Sequence, residues 1–328
     1  MRMTLNNKDT KCKNVQEAFN EFIFIKKNDN SSEDTIRDYK NIFGIFIEFV
    51  GKDFLCKNIN ADIVEEYIAY LRTKPKKNSS KNTKDKEIEY LSSVSIASYI
   101  RHLRAVLNKF MERGYTEPFK VKIPVYDKDV KDIYTPEELE RLLRKPNLKK
   151  CSFSEYRNWV ITNYLLATAN RISTIINLKI KDINFSENEI YLAKVKNRKS
   201  YTIPLQKDLK RVLLEYLSYR QGEPEDYLFC SENDNKKGLS REGFKTAIFR
   251  YNTNRQVAKT SAHVYRNTFA KYWILQGGDL IRLQKILGHK DLKMVLEYVE
   301  MYGADLQVNF NSYNPLSSYA KGEHISLK

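Results

Sequence analysis

Six residues in the second half of the chain have the types and the order that phosphoryl-transfer chemistry needs. They are Arg171, Lys196, His263, Arg266, His289 and Tyr298. An arginine fork binds two phosphate oxygens at once and holds its charge at any working pH. Histidine and lysine can deliver protons. A tyrosine hydroxyl suits covalent chemistry on phosphorus, because a phenolate leaves well enough to keep the step reversible. The pattern is densest over residues 260–302, TSAHVYRNTFAKYWILQGGDLIRLQKILGHKDLKMVLEYVEMY. This stretch holds an H-x-x-R, then an L-G-H, then a tyrosine nine residues on, and two of the four histidines of the chain. Singly, each residue has a plainer explanation. Arg171 suits a helix start, His289 a helix end, Lys196 a solvated turn, and Tyr298 is one of 22 tyrosines. It is the ordered set that points to chemistry.

The totals fit a polyanionic substrate. The 328 residues include 57 Lys and Arg against 41 Asp and Glu, a net charge of +16 spread along the whole chain, with a pI near 9.4. Nucleic acid is the commonest partner for such a balance. Apolar residues make up 41%, and the length allows two cores. Only 11 glycines and 8 prolines suit a mostly helical fold. Residues 1–20 contain no apolar signal segment, and no run reaches membrane-span length. The four cysteines form no C-x-x-C pair, which argues against structural zinc and for a reduced, cytoplasmic protein.

The elements that must position the six residues follow from periodicity. Residues 1–14 read as a flexible N-terminus. Residues 15–114 read as a helical domain with four amphipathic segments, over 15–26, from 31–34 to Gly51, 60–71 and from Ser92 or Ser93 to 113. Arg37, Lys40, Arg101, Arg104 and Lys109 lie on its predicted outer faces, with His102 among them as a surface residue. The Lys-rich stretch 74–87 reads as a solvated loop, either a phosphate-contacting one or a plain linker. Residues 115–132, with Pro118 and Pro124, read as an extended linker. Thr135-Pro136-Glu137-Glu138 then restarts structure as a capping box. Residues 133–302 form the second domain. An apolar helix over 155–169 is followed by another to Leu178. A hairpin from 189–195 and 201–205 carries a basic tip at 196–200. Helices follow near 207–219, 240–253, 261–276, 279–288 and 291–301. Residues 303–328 read as a C-terminal segment, with one more helix over 303–313.

The second domain resembles the catalytic domain of the tyrosine recombinase (phage integrase) family. Thr168-Ala169-Asn170-Arg171-Ile172-Ser173 is similar to its T-G-x-R-x-S box, and residues 263–270 (HVYRNTFA) to H-x-L-R-H-T-F-A. Lys196 lies eight residues before Pro204, where the family places a lysine on a hairpin, with Lys194 and Lys199 as competitors for that role. Leu287-Gly288-His289 and Tyr298 complete the match, and residues 15–114 resemble the core-binding domain more loosely. The resemblance implies a mostly α fold with a small antiparallel β element, in which a helical core-binding domain precedes a mixed α/β catalytic domain. It implies Tyr298 as the nucleophile forming a 3′-phosphotyrosyl bond, Arg171 and Arg266 as the phosphate clamp, and His289 as a donor to it. Lys196 would be the acid for the 5′ oxygen, and His263 would assist proton transfer at the tyrosine. It implies no ATP, metal or other cofactor. Its partners would be double-stranded DNA recombination sites closed in a two-domain clamp, a homotetramer acting through a Holliday junction, and accessory DNA-bending proteins. Residues 306–313, with Val308 and Phe310, would dock on a neighbouring protomer. Three positions depart from the family: Ala169 for glycine, Thr174 for an acidic residue and Asn267 for a frequent second histidine. A DNA-binding regulator with dormant cleavage, or a type IB topoisomerase relaxing supercoils, are the alternatives. The L-G-H box and the small helical first domain favour the recombinase.

If six to ten phosphates are neutralised, log Kd for duplex DNA should rise with log salt at a slope of about 5 to 9. A salt titration by fluorescence anisotropy checks this, and a flat response would rule out the clamp.

Overall fold

A computed structural model of the chain describes residues 12–75, 89–126, 131–193, 200–234, 236–289 and 291–302. Most of the expected N-terminal segment and of the Lys-rich loop, the hairpin tip with Lys196 and the C-terminal segment fall outside these residues, whereas Lys13 and Asn14 are held by Glu21 and by the start of the first helix. The chain divides into two units, residues 1–129 and 130–328.

Side-chain caps fix where the helices of the first unit begin. Asn14 and Glu17 form a reciprocal capping box on α1 (Val15–Asn28). Ser32 starts α2 (Glu33–Val50), Asn60 starts α3 (Ala61–Thr73) and Ser92 starts α4 (Ser93–Glu112). Each accepts a hydrogen bond from a first-turn N–H that no helical carbonyl could reach. For α2 the sequence alone offers Ser31 and Asp34 as plausible caps, and the cap is neither. Asp34 instead sits inside the first turn, where its charge faces the helix dipole. The apolar stripes converge on an aromatic core. Phe19 stacks on Phe43 at 4.3 Å, and Phe46, Tyr67 and Phe110 are buried beside them. His102 is not a plain surface histidine: its Nδ1 lies 2.8 Å from the Ser98 carbonyl and its ring meets Tyr39 edge-on. Segment 115–132 also differs from a uniformly extended linker. Tyr115, Thr116 and Val121 are buried. The Tyr115 hydroxyl donates to Glu21 at 2.7 Å and the Thr116 hydroxyl to the Cys56 carbonyl at 2.9 Å. These residues close the first core without any helical period, so periodicity could not show them.

The second unit is organised around α6 (Phe153–Thr168). Beyond its first turn this helix has no exposed residue, and Tyr156, Trp159, Val160, Ile161, Tyr164 and Leu165 are buried. A helix with no exposed face must be surrounded. It packs against α5 (Pro136–Leu143), α8 (Lys207–Arg220), α9 (Arg241–Asn254) and α10 (Ala262–Leu275). The capping box at Thr135 and Glu138 starts α5. After α6 comes the single turn α7 (Ile172–Ile175), shorter than the helix expected to reach Leu178. The sheet is antiparallel in the order β1 (Ile183–Asn184), β2 (Glu189–Leu192), β3 (Tyr201–Pro204), with Ile190 paired to both Ile183 and Ile203. Ile183, Ile190, Leu192 and Ile203 turn inward. Two residues are too few to show alternation, which is why β1 was not legible. A second, smaller cluster gathers Ala169, Ala270, Ile274, Leu283, Leu287, Val295 and Tyr298. It joins α10 to α11 (Leu280–Leu287) and α12 (Lys293–Tyr302). The fold is therefore mostly α with a small antiparallel sheet. Among the described residues no helix is long and apolar enough to cross a membrane, and the four cysteines are free.

Ala169 caps α6 in the left-handed conformation, φ 53°, and is fully buried. That conformation costs a non-glycine residue about 1–2 kcal/mol. Ala169→Gly relieves it but removes a buried methyl, about 0.8 kcal/mol, and adds about 0.5–1 kcal/mol of chain entropy. The two sides nearly cancel, so Tm should move by no more than about 4 °C. Ala169→Val, β-branched in the same conformation and overpacked, should lower Tm by more than that in the same thermal melt.

Candidate active site

The site is assembled by two turns that meet around a buried guanidinium. Arg266 is 5% exposed on α10. Its Nη1 donates to the Ala169 carbonyl at 2.8 Å. Its Nη2 donates to the Leu287 carbonyl at 2.6 Å and to His289 Nε2 at 2.7 Å. Burial, then the Arg171 charge, lowers its pKa to about 10. Both carbonyls come from helix ends that close in the left-handed conformation, at Ala169 and at Gly288, φ 58°. Gly288 is doubly constrained: a Cβ there would lie 2.9 Å from the Tyr201 hydroxyl.

Arg171 follows the first turn directly. Thr168 bonds back to the Tyr164 carbonyl at 2.7 Å, and buried Asn170 donates to the Tyr164 hydroxyl at 3.0 Å. The chain thereby leaves α6 with a fixed course. Arg171 Nη1 then reaches the Leu287 and Gly288 carbonyls at 3.3 and 3.4 Å. Two arginines thus share one carbonyl, and Arg266 also makes a side-chain hydrogen bond with Tyr298.

His289 follows Gly288 and is 9% exposed. A guanidinium only donates, so Nε2 must accept and the ring proton sits on Nδ1. Nδ1 is buried with no hydrogen-bond partner among the described residues. Burial, then the charges of Arg266, Arg171 and Lys131, pushes the His289 pKa down to about 4. His263 occupies the first turn of α10. Its side chain reaches solvent but is closely flanked by protein. That partial burial, then Arg266 and Arg171, lowers its pKa as well.

Tyr298 is 5% exposed on α12. Its ring lies parallel to His289 at 6.4 Å between centroids, and Lys131 Nζ sits 3.8 Å from the ring centre. Its hydroxyl donates to Asn267 Oδ1 at 3.0 Å. Burial raises its pKa, while the charges of Arg266 and Arg171 oppose the rise. The structure therefore gathers Arg171, His263, Arg266, His289 and Tyr298, whereas Lys196 lies outside the described residues. Sequence reasoning noticed Asn267 only as a departure and missed Lys131. The spacing carried a signal for the first: His263 and Asn267 are i and i+4 on α10, so they share a face. Nothing in the sequence signalled Lys131. Among the described residues no three His, Cys, Asp or Glu side chains converge as a metal site.

The Phage integrase family model matches residues 133–304, and the Phage integrase SAM-like domain model matches residues 14–124. The chain belongs to the phage integrase family. Its enzyme class is therefore that of the tyrosine-type site-specific recombinases. It is 27% identical over 285 residues to a tyrosine recombinase of Pseudothermotoga lettingae, covering 82% of this chain and 91% of that one. It is 26% identical over 293 residues to the tyrosine recombinase XerA of Pyrococcus furiosus, covering 81% and 99%. Among solved structures it resembles the Tn1549 transposon integrase in complex with a circular intermediate DNA, at TM-score 0.68, 18% identity, and 87% and 94% coverage. It also resembles a lambda integrase dimer bound to a core site, at TM-score 0.67, 15% identity, and 89% and 98% coverage.

A histidine with its folded pKa depressed from 6.5 to about 4 binds fewer protons folded than unfolded in that window. Its contribution to stability is complete above pH 6.5 and falls as pH drops toward 4, by on the order of 2–3 kcal/mol. His289→Gln should flatten the acid limb of a Tm-against-pH curve relative to the wild type. His263 leaves a smaller slope of the same sign in both proteins.

Proposed function

We propose that the protein cuts and rejoins duplex DNA at specific sites, with Tyr298 as the nucleophile. The observation that carries this is the placement of the Tyr298 hydroxyl, supplied by the chain itself, in the field of Arg266 and Arg171, which no carboxylate pairs among the described residues. The oxygen attacks the scissile phosphorus, the bond to the 5′ oxygen breaks, and a 3′-phosphotyrosyl bond forms. One phosphodiester replaces another, so rejoining needs no external energy source. Arg266 and Arg171 exchange their carbonyl bonds for non-bridging phosphate oxygens, where preorganised donors act on the developing charge. The orphaned Nδ1–H of His289 is the third donor. Lys196, by the family resemblance, gives the departing 5′ oxygen its proton. His263 takes the phenolic proton.

The net charge of +16 supports binding along the DNA backbone by both units. In the first unit Arg104 and Lys40 are exposed. Arg37 and Lys109 pair with Asp34 and Glu112 at the surface, and such pairs are weak enough to yield to phosphate. One of the integrase structures that this fold resembles is a lambda integrase tetramer bound to a Holliday junction, at TM-score 0.65, 14% identity, and 92% and 82% coverage. That supports four protomers acting on two synapsed sites. The family resemblance, rather than any contact in the structure, is what suggests a cytoplasmic setting, DNA-bending accessory proteins and a C-terminal segment that bridges protomers.

Incubation with a suicide duplex, nicked beside the cleavage point and taken from the ends of the encoding element, should give a covalent adduct on a denaturing gel. Tyr298→Phe should give none. Tight binding with no adduct in either protein would indicate a dormant regulator. Relaxation of any supercoiled plasmid would indicate a topoisomerase.

A further inference from the structure

We infer that Asn267 is a positioning residue for the nucleophile: it aims the Tyr298 hydroxyl through an amide whose own direction is set by the backbone carbonyl of Asp132. The inference rests on the reading of Tyr298 as the nucleophile. Asn267 Nδ2 donates to the Asp132 carbonyl at 3.1 Å, and Asn267 Oδ1 faces the Tyr298 hydroxyl at 3.0 Å. A carbonyl oxygen only accepts, so the NH2 end of the amide must face Asp132. The oxygen end must then face Tyr298, and Tyr298 must be the donor. The usual ambiguity between amide nitrogen and oxygen is removed by the backbone. The whole chain of bonds has one polarity, from the phenol to Asn267 to Asp132.

Two consequences follow for the attacking oxygen. With its proton committed to Asn267, its lone pairs are directed elsewhere in the site. An amide oxygen also orients a proton without taking it, so removal falls to another group. His263 is one helical turn before Asn267 on the same face. The groups around the hydroxyl are Arg266 from α10, Arg171 from the turn before α7, His289, and Lys131 and Glu297 at the far side of the ring. Among these, Asn267 gives the phenolic proton a neutral acceptor. The anchor has its own ties: the Lys131 backbone N–H reaches Met301 Sδ at 3.2 Å, and Lys131 Nζ is 3.5 Å from Glu297. Residues 131 and 132 are therefore fastened to α12 itself as well as to Asn267. Asn267 is 8% exposed, so no water stands in readily for its oxygen.

The test compares single-turnover adduct formation on the suicide duplex for wild type, Asn267→Leu and Asn267→His, alongside DNA affinity. Leucine keeps the branched outline and the number of heavy atoms and removes the acceptor. Histidine brings a ring nitrogen that can accept. Misaiming a reacting atom should slow Asn267→Leu by roughly 10- to 100-fold with DNA affinity unchanged, and Asn267→His should recover most of the rate. A residue needed only for packing would give the reverse order, because leucine fits the space better than imidazole. Wild-type rates in Asn267→Leu, or equal losses in the two variants, would overturn the inference while leaving Tyr298 as the nucleophile. No Tyr298-dependent adduct in the wild type would overturn both. If Asn267→Leu does not fold, Asn267→Ala serves as the variant without an acceptor. A thermal double-mutant cycle with Tyr298→Phe should show non-additive Tm losses, and additive losses would also count against the bond.

Discussion

A positive charge held away from water, with no carboxylate among the described residues to answer it, is the constraint on which the second unit depends. Burying an unpaired guanidinium is costly unless every donor is satisfied. Arg266 solves this with backbone carbonyls, whose dipoles lower the energy of the charge without cancelling it. The site therefore keeps its appetite for an anion. Two helices must end with carbonyls aimed at the same point, so both close in a left-handed turn. The residues after those turns, Arg171 and His289, are delivered to the same place by the geometry that satisfies Arg266.

Much of this was legible in the sequence, for identifiable reasons. The first-unit helices have clean stripes and strong caps, so their cores could be read almost residue by residue. The capping box at Thr135 carries its own signature. Arg171, Arg266, His289 and Tyr298 stood out because the types and spacing of a phosphate site are unusual as a set. What stayed hidden was local geometry without period. Tyr115 and Val121 complete a core from a segment with no regular structure. The two-residue strand β1 exists only through its pairing with β2. Ser31 and Asp34 read as the plausible caps of α2, whereas the Thr35 N–H meets the Ser32 hydroxyl.

The site residues that were not legible are those whose role depends on distant backbone. Asn267 reads as an odd substitution until the carbonyl of Asp132, 135 positions away, fixes its amide. Lys131 reads as one basic residue among many until it is found against the Tyr298 ring. The replaced positions are informative in the same way. Ala169 occupies a left-handed turn where glycine is the easier fit, and the fold retains it because its methyl is buried among α10, α11 and α12. Thr174 is buried at the end of the α7 turn, and neither arginine has a carboxylate in its place.

Gly288 and Tyr201 have a consequence for how such a chain can evolve. The tyrosine opens the strand that leaves the Lys196 segment, and its hydroxyl, 3.4 Å from the Ile286 carbonyl, fills the space that any side chain at 288 would need. The two positions are one steric unit spread over two elements. Shortening Tyr201 would empty that space without freeing position 288, whose left-handed backbone still favours glycine, so the strand can change while the turn that presents His289 stays held to glycine.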